Sequence, residues 1–445
     1  MSPGADLSLS DRLIALWDLF AVGAAFVATQ MPSDLGELAA RHPERIAGAV
    51  LCVPNRLDPQ PFTAIADRLL LISGEHGVTA GTTARAAARL PGAERFILAD
   101  YDALGWSDAV ADRTAEITNR ILGFLHGRFA GTPKPVGAQG VHAGISYRVE
   151  GSGPALFLLP FFLAPSQWVP AVPELARHFT VITLGGLHLG GVATLEDRAR
   201  APTYRAMFRT LIDLMAPKSG EAILDVGCGA GSLDRLLARQ VGAISPITAV
   251  DVNPFLLGEA AALAAAEGLA SAISFAKGNA EALPFPDNSF DCVFSVTALE
   301  ECDADRAIAE MMRVAKPGGR VGVIVRAIDM PQWWNISVPE SMRRKIETPP
   351  QSVSPSGVAD ASLYRRMRGA GLRDLVCYPA LVTLDRPDGP IWRFREDYVL
   401  SLFTAEETEL WRAARDAVGA ERLLFAAHPM HCAVGTKCSA PRTSE

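Results

Sequence analysis

The chain of 445 residues has only seven cysteines, Cys52, Cys228, Cys292, Cys302, Cys377, Cys432 and Cys438, an odd number with no C-x-x-C spacing. That excludes a disulfide framework and a cysteine-based zinc site, so no metal is expected, and it fits a reducing, cytoplasmic compartment. Long apolar runs are also missing. The run over residues 19–28 is too short to span a bilayer, and Asp11 and Asp18 stand before it where a secretory leader carries basic residues, so neither a membrane span nor a signal peptide is expected. Positive charge is scarce too. Against 49 Asp and Glu there are 42 Lys and Arg, net −7, and basic clusters go no further than Arg343-Arg344-Lys345 and Arg365-Arg366, which disfavours a nucleic-acid partner. What remains, 49% apolar and 20% charged residues, describes a globular chain long enough for two or more cores.

The most informative stretch, Ile223 to Ala238, reads ILDVGCGAGSLDRLLA: an apolar strand, a glycine turn, then an amphipathic helix. Alternating Gly227, Gly229 and Gly231 let the backbone turn sharply and approach a ligand closely, while the helix from Ser232 aims its unpaired N–H groups there. A dinucleotide fold wants G-x-G-x-x-G, but Ser232 stands where the third glycine belongs and Gly231 comes one residue early. Downstream, Ile247-Thr-Ala-Val-Asp251 is a second strand ending in an acid, placed to accept bonds from two ribose hydroxyls. Gly278-Asn-Ala-Glu-Ala-Leu-Pro-Phe285, a strand ending at Ser295, Lys316-Pro-Gly-Gly-Arg320 and a buried strand over Val321 to Val325 complete the order.

From Ala222 to Arg326 this run resembles the small-molecule branch of class I S-adenosylmethionine-dependent methyltransferases, nearest to the ubiquinone and menaquinone C-methyltransferase type. The resemblance implies an α/β fold with a Rossmann-like seven-stranded sheet and S-adenosyl-L-methionine as cofactor. It places the methionine end at Asp225, Gly227, Gly229 and Gly231 and the ribose on Asp251, with Val252 and Ala280 flanking the adenine. Asn279 stands where the family commonly has Asp, and its amide oxygen can still accept from the adenine amino group. Ser295 completes the set, and on the leading helix Tyr204 and Arg205 are candidates for the cofactor's carboxylate, a solvated helix face being the plain alternative. The absence of N/D-P-P-Y and of Pro-Cys disfavours methylation of DNA amino groups, glutamine or cytosine C5.

The first half differs. Ala39 to Ile46 and the strands Gly48 to Val53, Arg68 to Ser73 and Ala93 to Leu98 resemble the part of an α/β-hydrolase that follows its nucleophile elbow. Gln30 takes the nucleophile's place, Ala28 and Pro32 replace the elbow glycines, Gly77 stands where the acid is expected, and no His follows Asp100 until His126. His76 reads as an exposed loop imidazole and Ser33 as a helix N-cap. Beyond a Gly/Pro-rich linker, Gly144 to Pro160 and Phe179 to Leu184 resemble a hydrolase's opening strands, so the halves stand in reversed order. The expected organisation is a hydrolase-like segment without a triad at 1–126, a linker at 127–140, a hydrolase-like strand segment at 141–195 that shares one sheet with the first, either permuted or from a truncated chain, and a methyltransferase domain at 196–438.

On the acceptor side, Trp333, Trp334, Tyr364, Trp392, Phe394, Tyr398 and Trp411 read as a pocket wall or as plain core, and 347–358 as a mobile loop. His431, Glu300 and Asp329 are the candidate bases. The expected activity is methyl transfer to a small apolar or aromatic metabolite, at O or C. A non-catalytic cofactor-binding protein, or a hydrolase working through the first region, is the alternative, and self-association stays open.

Overall fold

The computed structural model describes residues 7–102, 108–241, 245–351, 353–387 and 389–438. The chain divides into two compact units, Met1–Thr194 with Asp388–Phe403, and Leu195–Pro387 with Thr404–Glu445.

In the first unit β1 (Ala25–Thr29), β2 (Ile46–Cys52), β3 (Leu69–His76), β4 (Glu94–Asp102), β5 (Gln139–His142), β6 (Ile145–Gly151), β7 (Ala155–Leu158) and β8 (Thr180–Gly185) form one sheet in the order β4-β3-β2-β1-β7-β8-β6-β5. The segments on either side of the linker therefore share a sheet, joined where Val27 of β1 pairs in parallel with Phe157 of β7. Strands β1, β2 and β7 are near-continuous apolar runs because helices cover both faces. Trp17 stacks on Phe157 at 3.8 Å on one face, and Trp168 packs against Phe161 at 4.6 Å on the other. The linker is tied down: Gly131 N–H donates to Ala24 O at 2.8 Å and Lys134 N–H to Phe20 O at 2.9 Å.

The helix Pro390–Leu400, which the sequence places among the methyltransferase's closing elements, groups with the first unit. Arg56 donates to the Phe394 carbonyl and lies over the Phe394 ring at 3.7 Å, while Ile391, Trp392, Val399 and Leu400 are buried.

In the second unit β9 (Ile223–Val226), β10 (Ile247–Asp251), β11 (Ile273–Lys277), β12 (Phe290–Val296), β13 (Ala315–Arg326), β14 (Trp333–Trp334), β15 (Leu372–Leu384) and β16 (Ala426–Lys437) form a second sheet. Its order is β11-β10-β9-β12-β13-β16-β14, with β15 also on β16. Strands β9 to β13 are parallel, and β16 is antiparallel to β13 and β15. The seven expected strands are joined by β14, an eighth, which pairs with Ala426 and Ala427 of β16. Chain order reverses between β9 and β12, so their carboxyl ends border the crevice where open α/β sheets hold ligands. Among the described residues no helix is long and apolar enough to cross a membrane.

Candidate functional site

All three glycines of the turn after β9 are left-handed, at φ +83° (Gly227), +58° (Gly229) and +68° (Gly231). Gly227 and Cys228 N–H both donate to Val250 O of β10, at 2.8 and 2.9 Å, which pins the turn against the neighbouring strand. The helix Ser232–Val241 starts directly from it, so the turn sits at the positive end of a helix dipole. A Cβ on Gly227 would collide with the Cβ of Ala298, whereas one on Gly229 makes ordinary contacts with Leu195 at 3.4 Å and Leu256 at 4.0 Å. Gly227→Ala is therefore expected to lose about 2–3 kcal/mol of stability from the left-handed backbone and the clash, and Gly229→Ala about 1. Urea unfolding midpoints of the two variants check the difference; equal losses would mean that the close approach does not matter.

Asp251, at the end of β10, accepts Gly229 N–H at Oδ2 (3.0 Å) and Asn253 N–H at Oδ1 (2.9 Å). Burial raises its pKa and these backbone bonds pull it back. Each oxygen keeps a further lone pair, so two ribose hydroxyls can still be accepted together. Val252 beside it is 57% exposed, unusual for an isolated valine and suited to a flat apolar ligand face. Ala280 is partly buried against the core, and Asn279 is exposed, its Oδ1 accepting Glu281 N–H at 2.9 Å. That bond engages the oxygen expected to meet an adenine and leaves it one lone pair.

Asp225 is 2% exposed, and its Oδ1 lacks a hydrogen-bond partner. Burial, the wholly buried Asp234 and then Asp251 drive its pKa up. Two adjacent buried carboxyls cannot both ionise, so the pair retains a proton. Tyr204, on the helix Pro202–Met215, is 1% exposed, with Thr297 engaging its hydroxyl; Glu300 and Asp225 both act on it electrostatically, and the Arg198 guanidinium lies 5.0 Å from its ring. These side chains gather at the carboxyl ends of β9 and β12.

Two candidate residues make contacts within the protein. Ser295 is wholly buried and donates to Val226 O at 2.8 Å, because its strand position turns it into the sheet; it braces the strand carrying Asp225. Arg205 is exposed and donates to Ala199 O at 2.9 Å. Sequence reasoning also missed Asp234 and Arg235, although acid and base in the first turn after a glycine loop were the available signal. Arg235 is 2% exposed and donates to Ala230 O (2.7 Å), Glu196 (2.5 Å) and Glu267 (3.1 Å).

The candidate bases separate. His431 Nε2 is 2.8 Å from Asp329 Oδ1 and its Nδ1 is 2.7 Å from the Tyr364 hydroxyl. Tyr364 packs with Ala433 against one core cluster, whereas Tyr204 packs with Met430 and Cys432 in the other, on the opposite sheet face. The chain Asp329–His431–Tyr364 therefore fastens the helix Ser362–Gly369 to β16. Glu300 is the candidate that lies beside Tyr204. The expected loop is not free over 353–358: Ser354 N–H donates to Glu300 O (2.8 Å), Val358 N–H to Leu299 O (3.0 Å), and Ser356 O accepts Ala304 N–H (3.0 Å). Trp334 packs on Trp411 at 5.3 Å as core, while Trp333 is 53% exposed.

In the first unit Gln30 is 2% exposed, donates to Val53 O (3.2 Å) and accepts Phe162 N–H (2.8 Å), so both ends of its amide are used structurally. His76 and His126 are exposed. Ser33 lies inside the helix Pro32–Arg41, whose N-cap is Met31 rather than Ser33. Asp34 beside it is buried and accepts Gly190 N–H at 2.6 Å. Burial raises its pKa to about 6 against the pull of Arg393 and that bond. The folded chain thus holds this proton more tightly than the unfolded one, so the group's contribution is fully present below about pH 4 and is lost as pH rises through about 6. Asp34→Asn is expected to gain about 3 kcal/mol over the parent between pH 4 and pH 7.5; a pH-independent difference in unfolding midpoint would contradict this.

Comparison with known proteins agrees with the geometry of the second unit. Residues 224–323 match the family model described as methyltransferase domain. The chain is 38% identical over 131 residues to the ubiquinone/menaquinone biosynthesis C-methyltransferase UbiE of Hahella chejuensis, covering 29% of this chain and 53% of that protein. The same enzyme of Pseudomonas aeruginosa strain LESB58 is 36% identical over 131 residues, 29% of this chain and 51% of that one. The chain spans about half the length of the curated relatives it matches. Among solved structures, the YcgJ protein of Bacillus subtilis aligns at 19% identity over 53% of this chain and 100% of that one, with a TM-score of 0.37. The second unit carries a class I methyltransferase domain, and the methyl donor of that class is S-adenosylmethionine.

Proposed function

We propose that the whole chain is a cytoplasmic S-adenosylmethionine-dependent methyltransferase acting on a small, apolar or aromatic metabolite at oxygen or carbon. The observation that carries this is the left-handed glycine turn held by Asp251 at the carboxyl end of β9, with Asp225, whose Oδ1 has no hydrogen-bond partner, beside it. The bound cofactor supplies an activated methyl group. The protein's part is to hold the donor's methionine end at Asp225 and the glycine turn, hold its ribose at Asp251, orient the acceptor and exclude water. No covalent enzyme nucleophile is required. The first unit reads as a permuted α/β-hydrolase-like sheet that has lost catalysis, a reading supported by its strand order and by the doubly bonded amide of Gln30. It then serves recognition rather than hydrolysis.

Incubating the protein with methyl-labelled S-adenosylmethionine and host extract tests this. Label should enter the organic fraction and disappear with Asp251→Ala; label confined to protein or nucleic acid would refute the small-molecule reading. Ester hydrolysis surviving Asp251→Ala would instead favour the first unit as an enzyme.

A further inference from the structure

We propose that Glu300 is the group that recognises the positive sulfur of the methyl donor, so that the site distinguishes S-adenosylmethionine from its neutral, demethylated product. This rests on the donor reading above and deepens it.

Glu300 has no exposed surface, yet only one of its carboxyl oxygens is satisfied. Oε1 accepts Arg326 N–H at 2.8 Å, and Oε2 has no partner. The side chain is not slack. Its own carbonyl accepts Ser354 N–H, its neighbour Leu299 accepts Val358 N–H, and a Cβ on Gly357 would strike the Glu300 carbonyl, so the 353–358 segment clamps the residue from outside. Burying a carboxyl oxygen without a donor costs stability, and a protein keeps such a group where a ligand repays it.

Two buried carboxyl oxygens without a hydrogen-bond partner, Glu300 Oε2 and Asp225 Oδ1, belong to the two acids that act electrostatically on Tyr204, whose own hydroxyl is engaged by Thr297. The facing cations are Arg326, whose guanidinium is 3.7 Å from Glu300 Oε1, and Arg198. Neither supplies a donor to Oε2. S-adenosylmethionine brings two positive centres of different chemistry. Its ammonium has N–H donors and suits Asp225, adjacent to the glycine turn. Its sulfonium has charge but no N–H, and suits a buried carboxyl oxygen without a hydrogen-bond donor; burial raises the Glu300 pKa, and a cation placed against Oε2 offsets that cost and favours the carboxylate. The product keeps the ammonium and loses the sulfonium charge.

Titration calorimetry on the full chain separates the roles, with S-adenosylmethionine, S-adenosylhomocysteine and sinefungin, whose amine places a positive charge near the sulfur position without a transferable methyl. Glu300→Gln, which preserves the acceptor for Arg326 N–H, should weaken S-adenosylmethionine and sinefungin by about tenfold, about 1.4 kcal/mol, and leave S-adenosylhomocysteine unchanged. Asp225→Asn should weaken all three alike. Equal loss for all three ligands in Glu300→Gln, or no loss for any, overturns the assignment. Should Glu300→Gln unfold, Glu300→Asp, which keeps the charge, must preserve the preference for the charged ligands, and its loss is equally decisive against the proposal. If the unmodified protein binds none of the three, the donor reading itself has failed, an outcome distinct from failure of the Glu300 role alone.

Discussion

Asp251→Ala is expected to lower affinity for S-adenosylmethionine by about a hundredfold or more, because it removes two charge-assisted bonds to the ligand, each of roughly 1.5–3 kcal/mol. The loss has a second source. Asp251 Oδ2 also holds Gly229 N–H at 3.0 Å, so without the carboxylate the turn loses a fastening as well as the ligand its ribose contact. Asp251→Asn separates the two. Its amide oxygen can still accept from Gly229 but lacks charge and presents N–H₂ where the second acceptor stood, so the turn survives and binding falls nearly as far. Titration calorimetry of both variants is the check. Affinity kept within threefold of the parent would remove Asp251 from the site.

Arg235→Ala is expected to cost about 3–5 kcal/mol of stability, the loss typical of breaking a buried ion pair by removing one partner. Arg235 is 2% exposed and Glu196 7%, so Glu196 would be left charged and dry. The Ala230 carbonyl would lose its donor in the same step, which loosens the glycine turn at a second point besides the Asp251 bond. Lysine cannot span the three acceptors that the guanidinium fork reaches, so Arg235→Lys should recover little. The internal control is Arg239→Ala. Arg239 pairs with the same Glu267 at 2.7 Å but is 56% exposed, and its removal should cost under about 1 kcal/mol. Denaturant unfolding of the three variants decides; similar losses for Arg235→Ala and Arg239→Ala would show that burial of the pair is immaterial.

The contrast between these residues explains what was legible in the sequence. Asp225, the three glycines and Asp251 could be read directly, because a strand, a sharp turn and a helix start are set by neighbours in the chain and their spacing is rigid. Strands β9, β10, β12, β13, β15 and β16 were legible for the same reason, through apolar runs and bounding turns. For Ser295 a strand's period of two tells which residues share a face, but not what each side chain meets; it donates into the sheet at Val226. Arg235 was invisible as a structural centre because Glu196 lies 39 residues away and Glu267 lies 32. His431 and Asp329 read from the sequence as titratable groups near strand ends. Tyr364, which bonds His431 from 67 residues away, turns the pair into a fastening on the other sheet face. The helix Pro390–Leu400 was misplaced because an amphipathic helix shows that it needs a partner, not which one: here Arg56, far earlier in the chain, supplies the contact. For Glu300 the sequence shows only a charge near a strand end; its burial and half-satisfied carboxyl belong to tertiary structure.

The central claim is that the turn between β9 and the helix Ser232–Val241 holds S-adenosylmethionine. Equilibrium dialysis of the purified full chain against methyl-labelled S-adenosylmethionine tests it most directly. One saturable equivalent per chain, displaced by S-adenosylhomocysteine and lost in Asp251→Ala, is the expected result. Absence of saturable binding by a folded protein, or binding that Asp251→Ala leaves intact, would contradict it.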